Sequence, residues 1–219
     1  MNVAGPLQNR VDPYGDLVAT PARGALMGNR GGRFHRDDRT LGRRRWASKQ
    51  WIACLCAFKG RRRAVWGEGY TELFFLDEPT ALAAGHRPCF QCRRAEAEAF
   101  QRAFGAGARP SAPSIDAILH RERLDRRAKR AWDAPIERLP DGAMIEREGR
   151  AFALRGEAML PWSFAGYGAP QARPCAGLAR VLTPPSIVRA FEAGYAPRWA
   201  EAGRADGARR RSEEDGHEA

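Results

Sequence analysis

The stretch FFLDEPTALAAGHRPCFQCRR, residues 74–94, carries the strongest local information in this chain. Asp77 stands where an N-cap belongs, with Glu78 and Pro79 in a first turn, and Gly85 stands where a helix ends in the left-handed conformation. The segment between them reads as a helix of about two turns. Next comes Cys89-x-x-Cys92, a spacing that folds into a tight knuckle with both sulfurs facing one ion. RRAEAEAFQRAF then reads as a second helix.

A knuckle supplies half of a tetrahedral site, so two further ligands have to come from elsewhere. Cys54 and Cys56 lie upstream in WIACLCAF, residues 51–58, an apolar run flanked by charge that suits a buried strand. Residues two apart on a strand share a face but stand about 6.5–7 Å apart, so both reach one ion only where the strand bends. One of the two is therefore expected to ligate while the other packs in the core, with His35 as the alternative fourth ligand. His86 lies too close to Cys89 for both to ligate without a tight turn. A redox pair and inert thiols are the competing readings of Cys89 and Cys92, and a redox pair wants a helix opening directly after a strand. The expected metal is Zn²⁺.

Residues 51–94 resemble the N-terminal zinc-binding domain of the Ada DNA alkylation-repair proteins. The resemblance rests on the Ala-Leu-Ala-Ala-Gly helix and the Arg-Pro-Cys-x-x-Cys-Arg knuckle. In that family an upstream strand supplies two more cysteines, the domain binds DNA, and one upstream cysteine accepts a methyl group from a phosphotriester. The resemblance implies that Cys89 and Cys92 are ligands and that Cys54 and Cys56 correspond to the upstream pair. The family spaces that pair Cys-x-x-x-Cys, whereas this chain has Cys54-x-Cys56.

Charge points to a partner. The chain has 219 residues, 37 Lys and Arg against 26 Asp and Glu, and a formal charge of +11. Residues 1–63 hold 14 of the basic residues against 4 acidic ones. Such a concentration attracts a polyanion, and the expected partner is nucleic acid, DNA ahead of RNA. The contacts are expected from Arg30, Arg33, Arg36, Arg43, Arg44, Arg45, Arg61, Arg62 and Arg63, joined by Arg93 and Arg94 beside the knuckle. Arg87 stands with them. Trp46 and Phe34, interleaved with these arginines, are expected near the surface. Only three basic residues are lysines, so coding bias towards Arg accounts for the residue type but not for its position.

The five cysteines form an odd set with no export signal, and no run of about 18 apolar residues occurs, so a soluble cytoplasmic protein without membrane contact is expected. No P-loop, H-E-x-x-H, G-x-S-x-G or G-x-G-x-x-G pattern is present. On SIDAILHRERL, Asp116 and His120 stand at i, i+4 with Glu122 nearby. That arrangement suits a general base or a metal-binding pair, while a solvated helix with i, i+4 charge pairs gives the same sequence and is the reading favoured here. An enzyme acting on nucleic acid or a nucleotide, as a hydrolase or nuclease through these residues or as an alkyl acceptor through a reactive zinc thiolate, and a zinc-stapled protein-interaction module are the rival functions.

The fold class expected is α+β: a basic zinc-knuckle module of short strands and helices (1–104), a linking helix (114–132) capped by Ser114, and a small antiparallel β-rich region (139–199). A Gly-rich tail (200–219) is expected to be disordered. The glycine-rich segment 27–46 reads as a basic loop, and Thr71–Leu76 as a hairpin return from 51–58.

Overall fold

A computed structural model describes residues 5–60 and 64–200 of the chain. The protein is α+β, with a six-stranded sheet, a seven-stranded sheet and a two-stranded hairpin among the described residues, and four α-helices set within, between and after them in sequence. The first sheet contains β1 (Gln8–Val11), β2 (Leu17–Ala19), β3 (Leu26–Arg30), β4 (Trp51–Leu55), β5 (Leu73–Phe75) and β6 (Arg87–Pro88), in the order β2-β1-β5-β3-β4-β6. Its apolar face gathers Val11, Leu17, Leu26, Ala53, Leu73 and Phe75.

Two expectations change here. The stretch 27–46 is not wholly loop: Met27–Arg30 belong to β3, which pairs antiparallel with β4 from Leu26↔Leu55 to Arg30↔Trp51. Gly28 allows this pairing, since a Cβ there would lie 2.1 Å from the carbonyl oxygen of Ile52. Nor is Thr71–Leu76 a hairpin return from β4. The strand β5 lies between β1 and β3, antiparallel to β3 and parallel to β1. Sequence distance is a poor guide to pairing when a third strand is available to separate neighbours.

The helix α1 (Glu78–Ala83) starts as its sequence requires, with Asp77 accepting from the Thr80 backbone N–H. It ends at Gly85, whose φ of 83° suits glycine, and there the His86 N–H bonds the Ala81 carbonyl. The helices α2 (Arg94–Phe104) and α3 (Ala112–Arg123) follow. Ser111, not Ser114, caps α3, and the helix stops at Arg123 rather than 132. The rest of the expected linking helix forms a small hairpin, β7 (Leu124–Asp125) and β8 (Ala128–Lys129). Arg126 at φ 55° makes the turn.

The C-terminal half is the expected antiparallel structure. It comprises β9 (Trp132–Pro135), β10 (Met144–Arg147), β11 (Arg150–Arg155), β12 (Ala158–Ser163), β13 (Gly166–Tyr167), β14 (Gln171–Ala172) and β15 (Leu178–Val181). The order is β13-β12-β11-β10-β15-β9, with β14 also on β12. Then α4 (Pro185–Glu192) closes at Gly194 with the same N–H bond five residues back, Tyr195 to Ala190. Leu82 of α1, Phe100 of α2, Ile115 and Leu119 of α3, and Ile187 and Phe191 of α4 form one apolar cluster. The N-terminal module and the C-terminal region thus share a core through their helices. Arg61, Arg62, Arg63 and all of the expected tail but Ala200 lie outside the described residues.

Candidate metal centre

Parallel pairing of β4 with β6 builds the site. Ile52 stands opposite Arg87 and Ala53 opposite Pro88, and the Cys89 N–H continues the ladder to the Ala53 carbonyl at 3.0 Å. The next residue along β4 is Cys54. The knuckle folds over it, closed by the Arg93 N–H on the Cys89 carbonyl at 3.0 Å, which brings Cys92 back to the same point.

The sulfurs of Cys54, Cys89 and Cys92 all lie within 4.8 Å of one another. Cys89 is buried, and Cys54 and Cys92 are partly so. Tetrahedral zinc at about 2.3 Å from each sulfur holds its thiolates about 3.8 Å apart, so this donor set suits such an ion with little movement. Backbone N–H groups support the sulfurs: Leu55 donates to Cys92 Sγ and Gln91 to Cys89 Sγ, each at 3.4 Å. A hydrogen bond from Cys54 pulls the Cys89 thiol down to about 5, and Cys92 is lowered by the same partner. Cys54, which supplies both of those bonds, is driven the other way. The three thiols thus hold their protons unequally, Cys54 raised and Cys89 and Cys92 lowered, and a cation takes the place of those protons.

Cys56 takes no part. The strand ends at Leu55, and Cys56 is exposed with its Sγ 3.5 Å from the Ala25 carbonyl, so it neither ligates nor packs in the core. His35 is not a ligand either. It is buried with its ring stacked on Trp66 at 5.1 Å, and its Nδ1 lies 2.8 Å from Thr71 Oγ1. Among the described residues, no fourth Cys, His, Asp or Glu joins the three sulfurs. The chain does run from strand to knuckle to helix, as in a redox pair, since β6 enters Cys89 directly. The third thiol distinguishes this site.

The expected acid–base group does not assemble. Asp116 is buried and held by Arg87, Nε to Oδ1 and Nη2 to Oδ2, both at 2.8 Å. Glu122 accepts from the Ser186 backbone N–H and hydroxyl at 2.9 and 2.6 Å. His120 lies against Trp46 and near Arg123. Each of the three is committed to a different neighbour.

The arginines divide. Arg36, Arg43, Arg44 and Arg94 are exposed, while Arg33 and Arg45 are half-buried. Arg33 pairs with Asp37, Arg45 bonds the Gly42 carbonyl, and Arg94 pairs with Glu98. Arg30, Arg87 and Arg93 are 1–2 % exposed and cannot meet a phosphate backbone on the surface. Arg93 Nη2 lies 2.8 Å from Glu78 Oε2, and Glu78 also accepts from the Tyr195 hydroxyl at 2.6 Å, so this ion pair ties the knuckle to both α1 and the segment after α4. Phe34 is buried, against expectation, and Trp46 is half-buried beside Trp51.

Comparison with family models, with curated proteins and with solved structures finds no match to this chain. No helix among the described residues is long and apolar enough to cross a membrane. The site itself defines a three-cysteine cluster able to hold a metal ion.

Proposed function

We propose that the protein is a zinc-stabilised nucleic-acid-binding protein, with Zn²⁺ held by Cys54, Cys89 and Cys92. The convergence of three thiols from two distant segments carries the reading, because unpaired thiols gain nothing from such an arrangement and a soft-donor cation gains three ligands. The ion would fasten the β4 edge to the knuckle and to α2. Support for a polyanionic partner comes from the exposed Arg36, Arg43, Arg44 and Arg94 and from the basic balance of residues 1–63. A link to DNA repair rests on the resemblance of residues 51–94 to Ada-type domains, which shares the strand-borne cysteine and the knuckle. Only one upstream cysteine stands with the knuckle here, so alkyl transfer to a second one is not part of the proposal.

A three-thiolate set leaves one tetrahedral position for water or an outside ligand. That favours, as a second reading, an enzyme acting on nucleic acid or a nucleotide at this position. Metal analysis with thiol counting tests the common premise: one zinc per chain is expected, and a folded, metal-free protein overturns both readings. Binding to labelled DNA and RNA at low salt then separates a nucleic-acid partner from a protein one.

A further inference from the structure

A second site lies on the other face of β4, since strand alternation sets Trp51 and Cys54 on opposite sides. Around Trp51 gather Arg30 from the end of β3, Arg123 from the end of α3 and Lys129 from β8. The guanidinium carbons of Arg30 and Arg123 each stand 3.8 Å from the centre of the Trp51 ring. Both arginines are 1 % exposed.

Their hydrogen-bond partners are neutral. Arg30 donates to the Gly15 carbonyl at 2.8 Å, to the Arg45 carbonyl at 3.4 Å and to His86 Nε2 at 3.3 Å. Arg123 donates to the Gly85 and Lys49 carbonyls at 2.9 and 2.8 Å and to His120 Nδ1 at 3.0 Å, and its Nε has no partner. Lys129 donates to the Ala83 carbonyl. Among the described residues, none of the three has a carboxylate within salt-bridge distance. Asp116, which lies in the field of Arg123, is already taken by both donor arms of Arg87.

These side chains line a largely enclosed cavity of about 30 Å³, together with Arg45 and Arg127. Asp16 is the one acidic residue in its wall, and Asp12 also acts on Arg30 and Lys129 from nearby, so two carboxylates stand against five basic side chains. Burying charge with too little counter-charge is costly, and arginine does not escape by losing its proton. Lysine does, and burial lowers Lys129 to about 7. Five basic side chains around one cavity are compensated most fully by a dianion with several oxygens, and the guanidinium fork matches a phosphate edge better than a spherical ion. The volume admits one small oxyanion and excludes a nucleobase, so any larger group on the ligand must leave past the exposed Arg127.

We propose that this cavity binds a terminal phosphate group, offered as the free ion, as a phosphomonoester on a nucleotide or at the end of a nucleic-acid strand. The site does not depend on the metal centre, and it stands or falls separately.

Calorimetry on the full chain with inorganic phosphate, at ionic strength matched with chloride, tests it. Saturable binding of one phosphate per chain is expected. Lys129→Met, which removes the buried charge, and Arg127→Gln, which changes only an exposed side chain, should each weaken it about ten- to a hundred-fold. Tighter binding of a 5′-phosphorylated than of a 5′-hydroxyl oligonucleotide assigns the site to strand ends. Tighter binding of a nucleoside monophosphate than of either strand assigns it to free nucleotides, and equal binding of all phosphates to the ion itself. Heat no greater than that of chloride, or affinity unchanged in Arg127→Gln and in a folded Lys129→Met, overturns the proposal.

Discussion

The backbone N–H of Cys89 bonds the carbonyl of Ala53 at 3.0 Å, and this one hydrogen bond places Cys54 rather than Cys56 beside the knuckle. The two upstream cysteines should therefore behave differently. Cys54→Ser, Cys89→Ser and Cys92→Ser should each lose the bound zinc, while Cys56→Ser and Cys175→Ser keep it at one per chain. Loss of a structural metal removes several kcal/mol of folding free energy, about 10 °C or more in Tm for a chain of this size. Atomic absorption on the five purified variants decides the matter, and zinc loss in Cys56→Ser with retention in Cys54→Ser would refute the assignment.

Surface and buried arginines should separate in the same way. Replacing Arg36, Arg43 and Arg44 together by Gln should weaken DNA binding without moving Tm. The slope of log affinity against log salt should become shallower by about 0.9 for each phosphate that is no longer neutralised. Arg93→Ala should instead destabilise the fold by about 3–5 kcal/mol, because it strands the buried Glu78 carboxylate. Filter binding across a salt series, paired with thermal melts, reads both effects.

Asp116 tests the structural role of the helix α3. Held by two bonds from the buried Arg87, it serves the fold, so Asp116→Ala should cost about 3–5 kcal/mol while His120→Ala costs less than about 1 kcal/mol. Urea unfolding measures this. A nucleolytic activity abolished by His120→Ala with the fold and metal intact would restore the acid–base reading.

Lys129 should leave a signature in the pH dependence of stability. Its native-state value is lowered from 10.5 to about 7, first by burial, with Arg123 and Arg30 acting in the same sense and Asp12 opposing. Between these values the unfolded chain binds the proton and the folded chain does not, so this group makes stability rise with pH from about 7 to about 10.5. The slope is at most about 1.4 kcal/mol per pH unit. Lys129→Met should accordingly be more stable than the parent at about pH 6, with the difference closing by about pH 10. Equal differences at both pH values would show that the lysine is not desolvated.

Local signals are legible because they act within one turn. Asp77 as cap, Gly85 as stop, the Cys89–Cys92 knuckle and the antiparallel character of residues 139–182 all follow from neighbours a few positions apart. Ser111 and Ser114 can each accept at a helix start, and residue type alone favours neither; α3 begins at the earlier one. Charge alone does not reveal a buried partner, which is why Arg30 and Arg93 read as surface residues in the sequence and lie inside the fold.

Residue types and short spacings are enough to define the class of chemistry: thiols in ligand spacing, a basic N-terminal third, short strands and capped helices. Which thiols meet, and where the charges go, depends on the assembled fold. The parallel register of β4 on β6 chooses Cys54 over Cys56, and the approach of β3, α3 and β8 to Trp51 gathers Arg30, Arg123 and Lys129 from positions up to 99 residues apart. Caps and knuckles are closed by hydrogen bonds between near neighbours in the chain. Register and burial are set by pairings between distant segments, which no local pattern encodes.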